Sequence, residues 1–258
     1  MKLQVLVSAM NQKDYSLINK MNLKTDAIII NQCDKNEFKE IDHCGNKIKF
    51  ISLAERGVGL SRNNALMRST GDICLFADED VTYVDNYDKL IIKAFDDNPD
   101  ADMILFNVPS KNIERPTYTI SNNGRVRWFN CLRYGAVKMA IRTEKIKKEN
   151  IYFSLLFGGG AKYSCGEDSI FISECLKKGL KVYSNTTIIG YVSQDESSWF
   201  NGYNDKYFID KGVLYGTISK TFGKLLCLQF VVRHKKIFKE YKSFKEALRL
   251  MLKGINMN

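Results

Sequence analysis

Five short apolar runs limit what this chain can fold into. LQVLVS (3–8), DAIIIN (26–31), IKFIS (48–52), ICLFA (73–77) and DMILFN (102–107) are rich in β-branched residues, with helical or turn patterns between them. Strands this uniformly apolar are buried on both faces, and alternation with helices makes them a mostly parallel sheet covered by helices. LSRNNALMRSTG (60–71) predicts a helix with Ser61 as N-cap and Gly71 as its stop, and YDKLIIKAFDDN (87–98) predicts another. Ligands of such sheets collect at the carboxyl ends of the strands. Three polar clusters fall there: Ser8–Asn11, Asn31–Asp34 and Asp78–Asp80.

The second half is less regular. TYTI, RVRWF and AVKMAI, within residues 117–141, read as strands of a smaller mixed-sheet extension. EDSIFISECLKKG (167–179) predicts a helix with acids in its first turn and lysines ahead of Gly179, matching the helix dipole at both ends. The expected architecture is an α/β, Rossmann-like domain over residues 1–220, with a nucleotide half at 1–110 and an acceptor half at 111–220. A helical tail follows at 221–258, where Ile237, Tyr241, Phe244, Leu248 and Met251 recur at helical spacing. Residues 233–253 carry eight Lys/Arg against two Glu, six of the chain's ten net positive charges. Two roles stay open for that basic helix: docking on its own domain, or adsorption to an anionic membrane surface. Nucleic acid is not an expected partner, because the basic stretch has no accompanying RNA-binding motif.

Seven cysteines without a C-x-x-C pair and only two histidines, His43 and His234, argue against structural zinc and for reduced thiols. The N-terminal MKLQVLVSAMNQKD is interrupted by Gln4 and Asn11, unlike a signal peptide. The longest apolar run is about eight residues, where spanning a bilayer takes roughly 20. A cytoplasmic protein is expected, peripheral on the inner face of the cell membrane if the tail adsorbs. The oligomeric state is left open.

Two stretches carry chemistry. In CLFADEDVTY (74–83) an extended backbone turns Asp78 and Asp80 one way and Glu79 the other, which leaves Glu79 a structural role. Paired carboxylates at a strand end suit a hard divalent cation that completes its shell with phosphate oxygens. A solvated acidic turn explains the same three residues. In FGGGAKYSCGEDSIF (157–171) glycines open a loop, and Glu167 and Asp168 then begin a helix, where acids also serve simply to accept backbone N–H groups.

The stretch ERGVGLSRNNALMRSTGDICLFADEDV (55–81) resembles the family 2 glycosyltransferases of the GT-A fold. Gly59, Ser61, Arg62, Asn63, Gly71, Asp72, Phe76, Asp78 and Asp80 take the places of that family's motif residues, and the resemblance runs from about residue 3 to 175. It implies a nucleoside-diphosphate-sugar donor, a UDP-sugar favoured, with Mn²⁺ or Mg²⁺ on Asp80 and Asp78 at the metal or the ribose. Arg62 would lie near the diphosphate or base, a salt bridge to Asp72 being the other explanation. Ser8, Arg56 and Asn63 would complete the donor site. Asn31 and Gln32 stand where the family has an acidic pair, and an amide still reads a base edge through donor and acceptor.

The G-E-D-x-x-F pattern implies Asp168 as general base, with Glu167 as the runner-up or the group that orients the acceptor hydroxyl. Gly159, Gly160 and Trp199 are weaker candidates for the acceptor. In GYVSQDESSWF (190–200) no His stands where many relatives have a metal ligand, leaving Gln194, Asp195 or water. The reaction implied is of hexosyltransferase type, a single displacement with inversion onto a glycan or lipid-linked acceptor in bacterial surface polysaccharide synthesis. Two rivals remain. A nucleotidyltransferase acting on sugar phosphates is opposed by SAMNQKD (8–14), which lacks a glycine. A non-catalytic nucleotide- or glycan-binding module is favoured by the missing acid at Gln32 and the missing His.

Overall fold

Burial on both faces gives the first half its elements in the expected order. The computed structural model describes residues 1–194 and 202–257. It runs β1 (Leu3–Met10), α1 (Leu17–Lys20), β2 (Asp26–Gln32), β3 (Glu37–His43), β4 (Asn46–Leu53), α2 (Val58–Arg68), β5 (Ile73–Asp78), β6 (Val81–Tyr83), α3 (Tyr87–Asp97) and β7 (Met103–Asn107). After β8 (Gly124–Arg125) come two 3₁₀ turns, Trp128–Arg133 and Ala136–Lys138, then β9 (Met139–Arg142), α4 (Thr143–Lys148), α5 (Glu167–Lys177), β10 (Val182–Ile188) and β11 (Gly190–Val192). Three helices close the chain: α6 (Asp205–Ile218), α7 (Gly223–Phe238) and α8 (Phe244–Ile255).

Nine strands form one sheet in the order β3-β4-β2-β1-β5-β9-β7-β10-β8. β4, β2, β1 and β5 are mutually parallel, so their carboxyl ends share one edge, with Ser8 in register with Asp78. Alternate side chains feed two cores: Val5, Val7, Ile29 and Leu75 on one face, Leu6, Ile28, Ile30 and Phe76 on the other. Phe76 meets Phe153 and Phe171 edge-on at centroid distances of 5.0 and 5.8 Å, and Phe153 stacks on Phe171 at 4.2 Å. Those rings seat α5 and the loop before it on β5, each aromatic pair adding about 0.5–1.5 kcal/mol beyond area burial.

Three local differences have physical causes. β3 carries no apolar run because it is an edge strand, paired antiparallel to β4 alone through a two-residue turn in which Cys44 and Gly45 take φ of 53° and 79°. Of the strands expected in 117–141, TYTI forms none and RVRWF contributes only Arg125, to the two-residue β8. AVKMAI opens as a 3₁₀ turn, and its end enters the main sheet as β9, antiparallel between β5 and β7. α2 starts at Val58 behind Gly57 and ends at Arg68, so Ser61 lies inside the helix instead of capping it.

The C-terminal helices pack on one another around Phe208, Cys227, Val231, Phe238 and Met251, and α6 begins at Asp205, ahead of the division expected at 220. A Cβ on Gly212 would lie 1.9 Å from the Met251 carbonyl oxygen, so α6 and α8 cross backbone to backbone. The single apolar stripe expected in the tail is broken between α7 and α8 by a capping box, Ser243 with Glu246. Ile237 and Tyr241 are exposed while Met251 is buried. No helix among the described residues is long and apolar enough to cross a membrane.

Lys138 is buried at 2 % exposure with no partner for Nζ among the described residues, and burial lowers its pKa to about 8. Forcing an ammonium into that site at neutral pH costs on the order of 2 kcal/mol. Lys138→Met is therefore expected to raise Tm by about 4–8 °C at pH 7. The sign follows from the depressed folded pKa: the cost is full below about 8 and fades as pH rises towards the unfolded value of 10.5. Calorimetry of both proteins at pH 7 and pH 10 checks this, the gap closing at the higher pH.

Candidate active site

The carboxyl ends of β1, β2 and β5, the first turns of α2 and α5, and one side of α6 enclose a cavity of about 720 Å³. Arg62, on α2 and only 4 % exposed, braces its floor. Its Nη2 donates to Asp78 Oδ1 and Oδ2 at 2.8 and 3.2 Å, and its Nη1 donates to Glu167 Oε1 at 2.8 Å. The guanidinium also lies over the Phe153 ring at 5.3 Å. Burial pulls its pKa down, yet Asp78 and Glu167 outweigh that and hold it charged. One arginine thus ties the end of β5 to the start of α5.

The three acids at the end of β5 all line the cavity, in a turn and not in the extended alternation expected, and they differ in their partners. Glu79 accepts from the Met10 N–H at 3.1 Å and from the Gln12 side chain, fixing the loop after β1. Asp80 accepts the backbone N–H of Gln194 at 3.3 Å, and among the described residues it has no cationic partner. Burial, then Asp78 and Glu79, raise its pKa. Gln194 reaches Asp80 through its main chain, with a φ of 53°, and its carbonyl accepts from Asn112. No cluster of three potential metal-ligating side chains occurs among the described residues.

Across the cavity, Gly166 (φ 112°) lets the chain enter α5; a Cβ there would fall 2.6 Å from Leu214. Both oxygens of Glu167 are occupied, one by Arg62 and the other by the Gly166 N–H at 3.1 Å. Asp168 takes the Ser169 N–H on Oδ1 at 2.6 Å and leaves Oδ2 beside Gly135 at the cavity wall. Burial and then Glu167 raise its pKa to about 6. A carboxylate with one open oxygen and raised basicity is equipped to take a proton near neutrality. Lys211 of α6 lines the same wall; burial pulls it down, but Cys165, Tyr207, Tyr215 and Asp168 together keep it cationic.

Ser8, Gln32, Arg56, Arg62, Asp78, Asp80, Gly159, Glu167 and Asp168 all line the cavity. Ser8 accepts from Ser61 Oγ at 3.0 Å, and Gln32 holds the Gly57 N–H at 2.7 Å. Arg56 is anchored on the Cys33 carbonyl and on Asp34, both at 2.7 Å. Two expected donor residues do not reach it. Asn31 uses its amide on the Gln12 main chain and on Ser52, and Asn63 brackets the Phe153 backbone at 2.9 and 2.8 Å. Arg62 does not pair with Asp72, which lies at the opposite end of β5 and accepts the Lys2 N–H at 2.7 Å. Gly160 is not among the lining residues, and Trp199 and Asp195 lie outside the described residues. Arg115, Arg133, Tyr134 and Lys211 line the cavity without any sequence expectation; the alternation of strands offers no signal for loop and α6 residues.

The profile of the family described as "Glycosyl transferase family 2" matches residues 5–156. No curated protein matches the sequence at a significant level. Among solved structures, S. aureus TarS 1-349 in complex with UDP-GlcNAc superposes with a TM-score of 0.70 at 17% identity, covering 99% of this chain and 82% of that one. Its complex with UDP gives 0.64 at 16% identity, covering 99% and 81%. The mannosyltransferase PcManGT from Pyrobaculum calidifontis, in complex with GDP-Man and Mn²⁺, gives 0.55 at 11% identity, covering 99% and 74%. At such identities the likeness is one of fold.

Proposed function

The chain belongs to glycosyl transferase family 2 and is a glycosyltransferase of GT-A fold, and we propose that it moves one sugar from a nucleoside-diphosphate-sugar, a UDP-sugar favoured, to a hydroxyl of a glycan or lipid-linked acceptor in bacterial surface polysaccharide synthesis. Family membership sets aside the nucleotidyltransferase and the non-catalytic module. What carries the finer reading is the division of acids across one cavity: among the described residues, Asp80 has no cationic partner on one wall and Asp168 has one open oxygen on the other.

The residues present fit a divalent cation. Asp80 is half-buried beside Asp78 and Glu79 without a lysine or arginine to offset it, and residues 195–201, DESSWFN, contain none either. Mn²⁺ or Mg²⁺ on Asp80, with Asp78 adjacent, would neutralise the departing diphosphate, whose oxygens complete the shell that so few carboxylates leave open. Asp168 takes the acceptor hydroxyl's proton on Oδ2 as the new glycosidic oxygen–carbon bond forms and the bond to the diphosphate breaks. Glu167 and Arg62 hold Asp168 and Asp78 in relation to each other, so donor and acceptor meet in line. A single displacement of this kind inverts the anomeric carbon. Gln32 and Arg56 line the end of the cavity nearest β2 and are the side chains available to a base there.

A thermal-shift panel of nucleoside diphosphates and their sugars, with and without Mn²⁺, tests this. At a hundred times Kd the right nucleotide adds about 2.7 kcal/mol, roughly 5–10 °C at this chain length. If none raises Tm in a metal-dependent way, the reading is overturned. Asp80→Asn keeps an acceptor for the Gln194 N–H, so the unliganded Tm is expected to stay within about 2 °C. The Mn²⁺-dependent part of the shift disappears and transfer falls at least a hundredfold.

A further inference from the structure

We propose that the groove between the 3₁₀ turn Trp128–Arg133 and α7 holds the apolar chain of a lipid-phosphate acceptor, with the phosphate at Arg133 and the glycan in the catalytic cavity. This rests on the reading above, that transfer occurs at Asp168. The groove encloses about 690 Å³ and shares Leu132 and Arg133 with the catalytic cavity, so the two meet at that turn. Its walls include Phe129, Leu225 and Phe222, which are 81%, 60% and 53% exposed. Three large apolar side chains left open around one groove mark a binding surface. Where the two spaces meet, Arg133 is held over the Tyr118 ring at 5.0 Å with its Nη1 on the Tyr118 hydroxyl at 3.1 Å, and it forms no ion pair among the described residues.

Apolar groove, Arg133 and polar cavity follow one another, since Arg133 lines both spaces. A molecule made of an apolar chain, a phosphate and sugars follows the same order. A bare glycan leaves the groove unused. A flat membrane surface does not enter a concave groove, and a second copy of the chain gives no reason for a cation at the junction.

Farnesyl phosphate is the probe, read by the fluorescence of Trp128, with Trp128→Phe assigning the signal and farnesol and inorganic phosphate as controls. We expect saturable binding of farnesyl phosphate to the full chain, at least tenfold tighter than either control. Leu225→Asp and Phe129→Ser, both at exposed positions, weaken it tenfold or more while the rise in Tm with UDP and Mn²⁺ stays unchanged. No saturable response with that rise intact overturns the groove alone; loss of both overturns the functional reading beneath it. If Leu225→Asp abolishes a monomer–dimer equilibrium, or binding to phosphatidylglycerol vesicles, while farnesyl phosphate gives no response, the face belongs to a second copy or to the membrane and the proposal fails.

Discussion

Asp168→Asn is expected to bind nucleotide and Mn²⁺ as the parent does and to transfer sugar 10²- to 10⁴-fold more slowly, the usual contribution of a positioned base. Its folded state should gain stability at the same time. Burial and Glu167 raise the Asp168 pKa to about 6, so the ionised carboxylate opposes folding whenever the pH is higher than that. The burden is about 2–3 kcal/mol above pH 6 and fades as pH falls from 6 towards the unfolded value of 3.8. The Asn variant should therefore melt higher than the parent at pH 8 and alike near pH 4. In the parent, kcat/KM drops tenfold per pH unit below about 6 as Asp168 takes up its proton. Glu167→Gln separates the two acids: its amide oxygen still accepts from Arg62, and the acidic limb should remain. A Glu167→Gln enzyme that loses that limb, beside an Asp168→Asn enzyme that keeps full rate, would exchange their roles.

The central strands were legible because burial on both faces leaves an uninterrupted apolar run, and a run needs no partner to be recognised. β3 was not, since this edge strand is mostly polar, with only Phe38 and Ile41 apolar, and is defined by the two-residue turn to β4. The fastening role of Glu79 was also legible, since it accepts from the β1 loop, although it lines the cavity beside Asp78 and Asp80. What a motif does not give is a side chain's partner across the fold. Asn63 lies within the motif yet closes on the Phe153 backbone, 90 residues away. Asn31 likewise meets its hydrogen bonds in the Gln12 loop. Both amides have better acceptors and donors in their own core than in the cavity.

Arg62 shows the same limit. Asp72 was the acid expected to pair with it, but the length of β5 separates Asp72 from the cavity end, and the partners of Arg62 come from that end of the strand and from α5, 16 and 105 residues away. Lys211 was silent for a different reason. It sits on α6, whose apolar residues pack against α8 on one side and α5 on the other, so no single stripe announces the helix. The tail's charges drew attention to α7 and α8, while the lysine that reaches the cavity lies upstream of them.

Arg62→Met is expected to destabilise the fold by about 3–5 kcal/mol, because it leaves two carboxylates near the core without their cation. Glu167 carries most of that loss: its side chain is 12% exposed, whereas Asp78 is 38% exposed and recovers solvation from water. The estimate therefore belongs near 3 kcal/mol, a fall of about 6–12 °C in Tm. Urea unfolding at pH 7 measures it, and a loss under about 1 kcal/mol would show that the brace carries no weight. The triple variant Arg62→Met, Asp78→Asn, Glu167→Gln removes the charges together and should regain most of the stability, since neutral groups of the same shape leave nothing unpaired. It should not regain activity, because Asp78 is lost from the cavity. A second readout separates bracing from packing alone. Arg62 also lowers the Asp168 pKa, so in the single variant the acidic limb of kcat/KM should move to higher pH. A methionine that merely loosened the core would reduce the rate at every pH and leave the limb where it was.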